Sequence, residues 1–401
     1  MSNPVPFTYE FPLGSSSSSN SPATEPIAPF GGIIKQEPED FVVEEIPAYL
    51  PAGSGDHLFI FIEKRDLDAR TLVKTIADCL KIPRRSIGMA GMKDRRAVTR
   101  QWLSLPKECE AQIPQLNDHG IRVLQSGFHH NKLKLGHLHG NRFQIRIRQL
   151  NGFENSMQTE PSGENPIPHA LDKNNRSDEL HTLLSRIQQN GVANFYGPQR
   201  FGLDQLNAAI GLALLRGEPL PTDKFGKTPK VRDPFFKKLY LSATQSLLFN
   251  QYLSKRLAQG LLTTVLPGDV MMKRPRSAPF TVTDPAIEQQ RFDQKEIAIT
   301  GPIFGRKMIP AREVAGELEQ QIFRDYSLTS AQFASFGKLL LGTRRVLTME
   351  LQEFTYQLQP PDLYLSFILP PGSYATIVLA EITRQYPMNA ALEVDPEPEP
   401  E

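Results

Sequence analysis

Residues 86 to 102 read SIGMAGMKDRRAVTRQW and hold one acid, Asp94, with Lys93 before it, Arg95 and Arg96 after it, and Arg100 further along. Gly88 and Gly91 precede it, which suits a loop carried on a rigid scaffold, the usual seat of chemistry. Cations brought close in space would favour the ionised carboxylate and lower its pKa. A carboxylate kept anionic serves as a nucleophile or a stabiliser of positive charge rather than as a general acid. Spacing alone also allows a plainer reading, in which Asp94 caps a helix beginning RRAVTRQ and the bases are merely solvated.

Three other stretches carry reactive or recognition side chains. HHNKLKLGHLHGNRFQIRIR gathers His129, His130, His137 and His139 within 11 residues. A metal site is disfavoured there, because no acid stands near to complete a ligand set and Lys132, Lys134 and Arg142 would repel a cation. The same mixture of bases, imidazoles and Phe143 suits an RNA backbone with stacked bases. NFYGPQRFG, residues 194 to 202, is either a stacking surface or a packed loop, and its glycines match neither a Walker loop nor a dinucleotide fingerprint. PPGSYATIVLAEI puts Ser373 at a helix N-cap position, followed by Tyr374.

The elements that must position these residues follow from periodicity. Strands are expected at DFVVEEI around Phe41, HLFIFIEK, QWLSL, IRVLQ and NRFQIRIRQL, the last with Phe143, Ile145 and Ile147 inward and Arg142, Gln144, Arg146 and Arg148 outward. Asp68 is expected to cap ARTLVKTIADCL, where Leu72, Ile76 and Leu80 recur at helical spacing. Three further helices are expected to close on Gly191, Gly217 and Gly260, and a fourth lies in REVAGELEQQIF. RRVLTMEL, QEFTYQLQ and DLYLSFIL return to strand before a last helix in SYATIVLAEITRQ. Strands, then helices, then strands suggest a split sheet domain carrying a mostly helical insertion. Ser- and Pro-rich residues 1–30 and the acidic end 389–401 are expected to be disordered, and the polar stretch 151–177 to be a loop.

At 401 residues the chain can bury more than one core, and its 39% hydrophobic and 22% charged residues are ordinary globular usage. Cys79 and Cys109 are too few for a disulfide framework, which makes a reducing cytoplasm the default. No run of about 18 apolar residues exists to span a membrane, and residues 1 to 32 lack the Lys or Arg of a signal or transit peptide. The net charge of +1 hides an asymmetry: Lys81 to Arg148 holds 14 Lys and Arg against 4 Asp and Glu. A segment so basic can form a phosphate-binding face on a nearly neutral protein.

In order along the chain, KQEPEDFVVEE, AGMKDRRAVTRQW, KLKLGHLHGNRFQIRIR, NFYGPQRFG, SLLFNQYLSKR and PPGSYATIVLAE closely resemble the transfer RNA pseudouridine synthase D family, over about residues 33 to 385. The resemblance implies an isomerase that converts uridine to pseudouridine in tRNA, typically uridine 13 of a glutamate-accepting tRNA. The family's catalytic aspartate falls on Asp94. Its substrate contacts fall on Phe41, Asn141, Phe143 and Tyr374, and Lys35 matches a lysine of the active cleft. The family often has Phe where this chain has Tyr374. The implied fold is α+β: a catalytic domain with a mixed, mainly antiparallel sheet and flanking helices, residues 31–191 and 337–388, interrupted by a mostly helical α/β insertion at 192–336. No cofactor and no metal are implied, and a monomer acting on tRNA in the cytoplasm is the expectation. The competing class is a non-catalytic RNA-binding or RNA-folding protein using the same basic cleft, and a metal-dependent hydrolase built on the histidines is a third.

Overall fold

A computed structural model describes residues 29–153, 173–202, 205–227, 229–274 and 278–385. Most of both tails and most of the polar stretch lie outside the described residues. Phe30, the last residue of the expected N-terminal tail, is described, and its apolar ring is buried 6.5 Å from that of Phe153.

The chain begins with β1 (Ile33–Ile34), β2 (Phe41–Pro47), β3 (His57–Arg65), α1 (Ala69–Leu80), β4 (Gly88–Met89), β5 (Val98–Pro106), β6 (Ile121–His129) and β7 (Leu138–Arg148). It continues through α2 (Lys173–Asn190), β8 (Val192–Ala193), α3 (Leu206–Arg216), α4 (Pro234–Ala258), β9 (Val270–Lys273), β10 (Pro279–Thr281), α5 (Pro285–Asp293), β11 (Ile297–Ile303), α6 (Glu313–Asp325) and α7 (Ser330–Ser335). Then follow β12 (Thr343–Val346), β13 (Thr348–Met349), β14 (Gln352–Gln359), β15 (Asp362–Leu369) and α8 (Ala375–Thr383). The helix α2 begins at Lys173, so the last residues of the stretch expected as loop are helical.

The fold is α+β. Its main sheet runs β14-β15-β7-β2-β5-β3-β6, with β1 on β7 and β4 on β5. The pairing is antiparallel throughout except between β2 and β5, which makes the sheet mixed. The two strands that follow the long helical stretch, β14 and β15, thus return to the sheet beside β7. A four-stranded sheet, β10-β9-β11-β12, lies in that intervening stretch, and a two-stranded ribbon joins β13 to β8.

Alternation along β7 and β2 buries one face. Phe41, Val43, Phe143, Ile145 and Ile147 join Leu363 and Phe367 of β15 in a core covered by α2 and α8. Every residue of α8 is buried, which explains its mostly apolar sequence, and the exceptions Thr376, Glu381 and Thr383 are buried with the rest. On β3 the partition is equally clear: Leu58, Ile60 and Ile62 pack on Leu72, Ile76 and Leu80 of α1, while Phe59 meets Trp102. The cap of α1 is Asp68, whose Oδ1 accepts from the backbone N–H of Arg70 and Thr71 at 2.9 Å each.

Candidate active site

Asp94 sits in the loop between β4 and β5, and the segment that could have been a helix, RRAVTRQ, instead runs into β5. Val98 and Thr99 pair in parallel register with Val42 and Val43 of β2, an environment that favours β-branched residues. Asp94 therefore caps no helix. Its backbone carbonyl accepts a 3.1 Å hydrogen bond from Lys64 Nζ, which also bonds the Leu67 carbonyl. Lys64 is only 1% exposed, so the end of β3 grips the loop from beneath.

With its main chain so held, Asp94 turns its carboxylate outward at 42% exposure, and Oδ2 lies 3.6 Å from Lys35 Nζ. Lys35 is buried, follows β1 and holds a left-handed φ of 57°, which costs a residue with a Cβ about 1 kcal/mol. Its Nζ also stands 4.4 Å from the centre of the Phe41 ring. Phe41 meets Phe143 edge-on at 6.0 Å, and Phe143 stacks on Phe367 at 5.5 Å. The cation facing Asp94 thus comes from the far N-terminal strand. Arg95 and Arg96, expected to flank it, are exposed and form no ion pair among the described residues.

Lys93, next to Asp94, points inward. Its Nζ lies 2.8 Å from Glu45 Oε2, both side chains being nearly inaccessible, and it donates to Asn141 Oδ1 at 2.7 Å. A lysine ammonium has only donors, so the atom it meets on Asn141 must be the oxygen. The carboxamide is thereby oriented, with its NH2 as the remaining donor. Asn141 pairs across the sheet with Glu45 on one side and Leu369 on the other. A Cβ at Gly140 would fall 2.5 Å from the Leu369 carbonyl oxygen, so glycine there lets β15 close up beside Asn141.

Tyr374 belongs to a neighbouring cluster that follows β15. It is the first residue before α8 and caps the helix with no side-chain hydrogen bond, so Ser373 is not the cap its position suggested. Its ring lies edge-on to Tyr196 at 6.1 Å. Burial pushes the Tyr374 hydroxyl above its ordinary pKa, with Arg200 and Arg345 opposing the shift. NFYGPQRFG is mainly a packed loop, since Phe195 and Phe201 are fully buried, with Tyr196 left at the edge.

Arg100, Arg146 and Arg148 do not face this site. They project from the other side of the sheet, where Arg100 pairs with Glu44 and Glu63, Arg146 with Asp362, and Arg148 with Asp40. Arg146 and Arg148 line an open groove of about 680 Å³ there, together with Gln144, Tyr356 and Tyr364. A strand with period two cannot present Phe143 and Arg146 to one cleft. The clustered histidines also have local partners: His137 Nδ1 lies 2.6 Å from the Tyr49 hydroxyl, and His129 stacks on the Tyr49 ring at 4.8 Å. Among the described residues no three His, Cys, Asp or Glu gather as a metal site.

Sequence reasoning missed Glu45, Lys64 and Arg345. Glu45 left a usable signal, a carboxylate at an inward position of β2, which demands a buried cation.

The family model for tRNA pseudouridine synthase D matches residues 24–221 and 223–382. A tRNA pseudouridine synthase D of Thermus thermophilus is 38% identical over 94% of this chain and 95% of its own length. One of Anaeromyxobacter dehalogenans is 39% identical over 88% of this chain and 93% of its own. The crystal structure of a Methanosarcina mazei protein described as a tRNA pseudouridine synthase D superposes with a TM-score of 0.70 at 24% identity, covering 90% of this chain and 95% of that one. On the extent of these matches, the chain belongs to the tRNA pseudouridine synthase D family.

Proposed function

We propose that this chain isomerises uridine to pseudouridine in tRNA, at uridine 13 of the glutamate-accepting species, with Asp94 as its catalytic carboxylate. The observation that carries the reading is the accessible Asp94 carboxylate beside the buried Lys35 ammonium, on a floor of Phe41 and Phe143. The C1'–N1 bond must break, the uracil must turn, a C1'–C5 bond must form, C5 must then lose its proton and N1 gain one, with no net change in atoms or oxidation state. Hence no cofactor and no metal are required. Bond breaking builds positive character at the sugar, which an anionic carboxylate stabilises or captures. One acid is the right number, because a second carboxylate able to activate water would divert the reaction to hydrolysis.

The target base leaves the stack before its ring can turn. Phe41 and Phe143 supply rings near the Lys35 ammonium, Tyr374 is read as a further substrate contact, and Asn141, with its oxygen held by Lys93, offers an NH2 donor. Uracil presents an acceptor at O4 where cytosine carries an amino donor, so an NH2 donor set against that position favours uridine. The reading includes a catalytic domain of residues 31–191 and 337–388 around an insertion at 192–336, with β12 lying past that boundary yet pairing into the insertion's sheet. It also takes the protein as a monomer working in the cytoplasm; no helix of the described residues is long and apolar enough to cross a membrane.

The test is conversion of uridine in a glutamate tRNA transcript without added metal or nucleotide, mapped by position. Asp94→Asn is expected to lower turnover by on the order of 10⁴-fold while tRNA affinity stays near that of the parent. Turnover at the parental rate by that variant would sink the mechanism.

A further inference from the structure

Arg200 and Arg345 approach the same aromatic ring. Their guanidinium carbons lie 5.8 and 4.0 Å from the centre of Tyr196, and Arg345 is also 5.5 Å from that of Phe249. Arg345 is firmly seated: Nη2 donates to Asn194 Oδ1 at 2.6 Å and to the Gly372 carbonyl at 3.0 Å. It thereby ties β12 to the NFYGPQRFG loop and to the turn that carries Tyr374. Arg200 is held only through Nε, which donates to Ser246 Oγ at 3.0 Å, so its terminal nitrogens make no hydrogen bond or ion pair among the described residues.

What the pair lacks is a counter-ion. On the outward face of the main sheet Arg100, Arg142, Arg146 and Arg148 each meet a carboxylate. Neither Arg200 nor Arg345 does so among the described residues, although each is half-buried against aromatic rings. Burial, reinforced by the charge of Arg200, lowers the pKa of Arg345, and the nearby tyrosines offset only part of it. Two guanidiniums beside one ring, without an acid, form an arrangement that an anion completes, since the terminal N–H groups of Arg200 present a planar fork that matches phosphate oxygens.

We propose that Arg200 and Arg345 clamp a backbone phosphate of the RNA strand, beside the nucleotide drawn toward Asp94. This rests on the reading of the chain as an RNA-modifying enzyme. Tyr374, an expected substrate contact, stands against Tyr196 between the clamp and α8, so the phosphate would lie next to the nucleotide whose base leaves the stack.

The experiment measures binding of an unmodified tRNA transcript to the full chain across a range of salt concentrations, for the parent, Arg200→Gln and Arg200→Lys. Loss of one phosphate contact reduces the slope of log affinity against log salt by about 0.7 to 0.9. Arg200→Gln is expected to show that reduction, with affinity about tenfold weaker at low salt and an unchanged melting temperature. Arg200→Lys, which keeps a point charge, is expected to recover most of the slope. An unchanged slope in Arg200→Gln overturns the clamp, whether the arginine pair then serves a free anion or packing alone. An affinity loss equal at every salt concentration, accompanied by a lower melting temperature, overturns it too. The two readings fail separately: a parent that binds tRNA without making pseudouridine removes the isomerase and leaves the clamp, whereas turnover with an unchanged slope does the reverse.

Discussion

Lys93 and Asp94 are neighbours in sequence with opposite fates. The carboxylate stands in the open at 42% exposure, while the lysine is buried against Glu45 at 2.8 Å. Breaking such a pair by removing one partner leaves an uncompensated buried charge, at a cost of about 3–5 kcal/mol, whereas replacing both partners with apolar residues is often close to neutral. Lys93→Met alone is therefore expected to lower the unfolding free energy by about that amount, and Lys93→Met with Glu45→Leu to recover most of it in denaturant titration. Turnover should not recover with stability, because the Asn141 carboxamide loses the donor that orients it. A double variant with both parental stability and parental turnover would remove Lys93 from the positioning of Asn141. Much of this site was legible in the sequence, since GMKD, GNRF and KQEPEDF marked Asp94, Asn141, Phe143 and Lys35 before their contacts were known. The role of Lys93 was not, because adjacency to Asp94 made it look like a counter-ion when the loop turns it inward, onto Glu45 and Asn141. Arg345 left no local sign at all, its partners being Asn194 and Gly372, far away in the chain.

The elements that carry the site divide in the same manner. Where an element has a single buried face, its pattern and its cap were readable: Asp68 starts α1, and Leu72, Ile76 and Leu80 bury the expected stripe. β5 was harder, because its inward positions after Ala97 are Thr99 and Gln101, polar residues that are nonetheless buried. That breaks the apolar alternation on which strand assignment depends and left a helix cap open as a reading of Asp94. The start of β5 matters for function because the loop before it is anchored by another element, through Lys64 of β3. Lys64→Met removes the donors to the Leu67 and Asp94 carbonyls while leaving every side chain expected to meet RNA in the sequence. A displacement of about 1 Å in reacting groups costs on the order of 10²-fold in rate. Single-turnover measurements should accordingly show a tenfold to hundredfold slower chemical step with little change in tRNA affinity. An equal loss in affinity and rate would mean that Lys64 supports the RNA-binding surface rather than the loop.

At the scale of the whole molecule, the strand, helix, strand order of the sequence anticipated that β14 and β15 rejoin the main sheet. It did not reveal how the parts adhere, since packing between distant segments leaves no local period. The core is continuous: Phe143 and Phe367 of the sheet belong to one buried cluster with Leu248 and Phe249 of α4, Phe304 and Ile322. A core shared in this way makes the sheet and the helical stretch one cooperative unit, so a charge forced into the latter should unfold the former. Tyr326, which ends α6 and packs against that cluster, supplies the means. Burial pushes its hydroxyl up to about 12, with the charge of Asp325 adding to the shift and that of Arg216 opposing it. A raised folded pKa means that the stabilisation is complete below the unfolded value near 10 and is lost as pH climbs toward 12. The loss is of the order of 2 kcal/mol. Trp102 is the single tryptophan and lies in β5, nearly inaccessible, so its fluorescence reports on the sheet alone. Stability followed through Trp102 fluorescence should fall between pH 10 and 12 in the parent and fall less in Tyr326→Phe. If the substitution leaves the alkaline dependence of the Trp102 signal untouched, the two regions unfold independently and the shared core does not couple them.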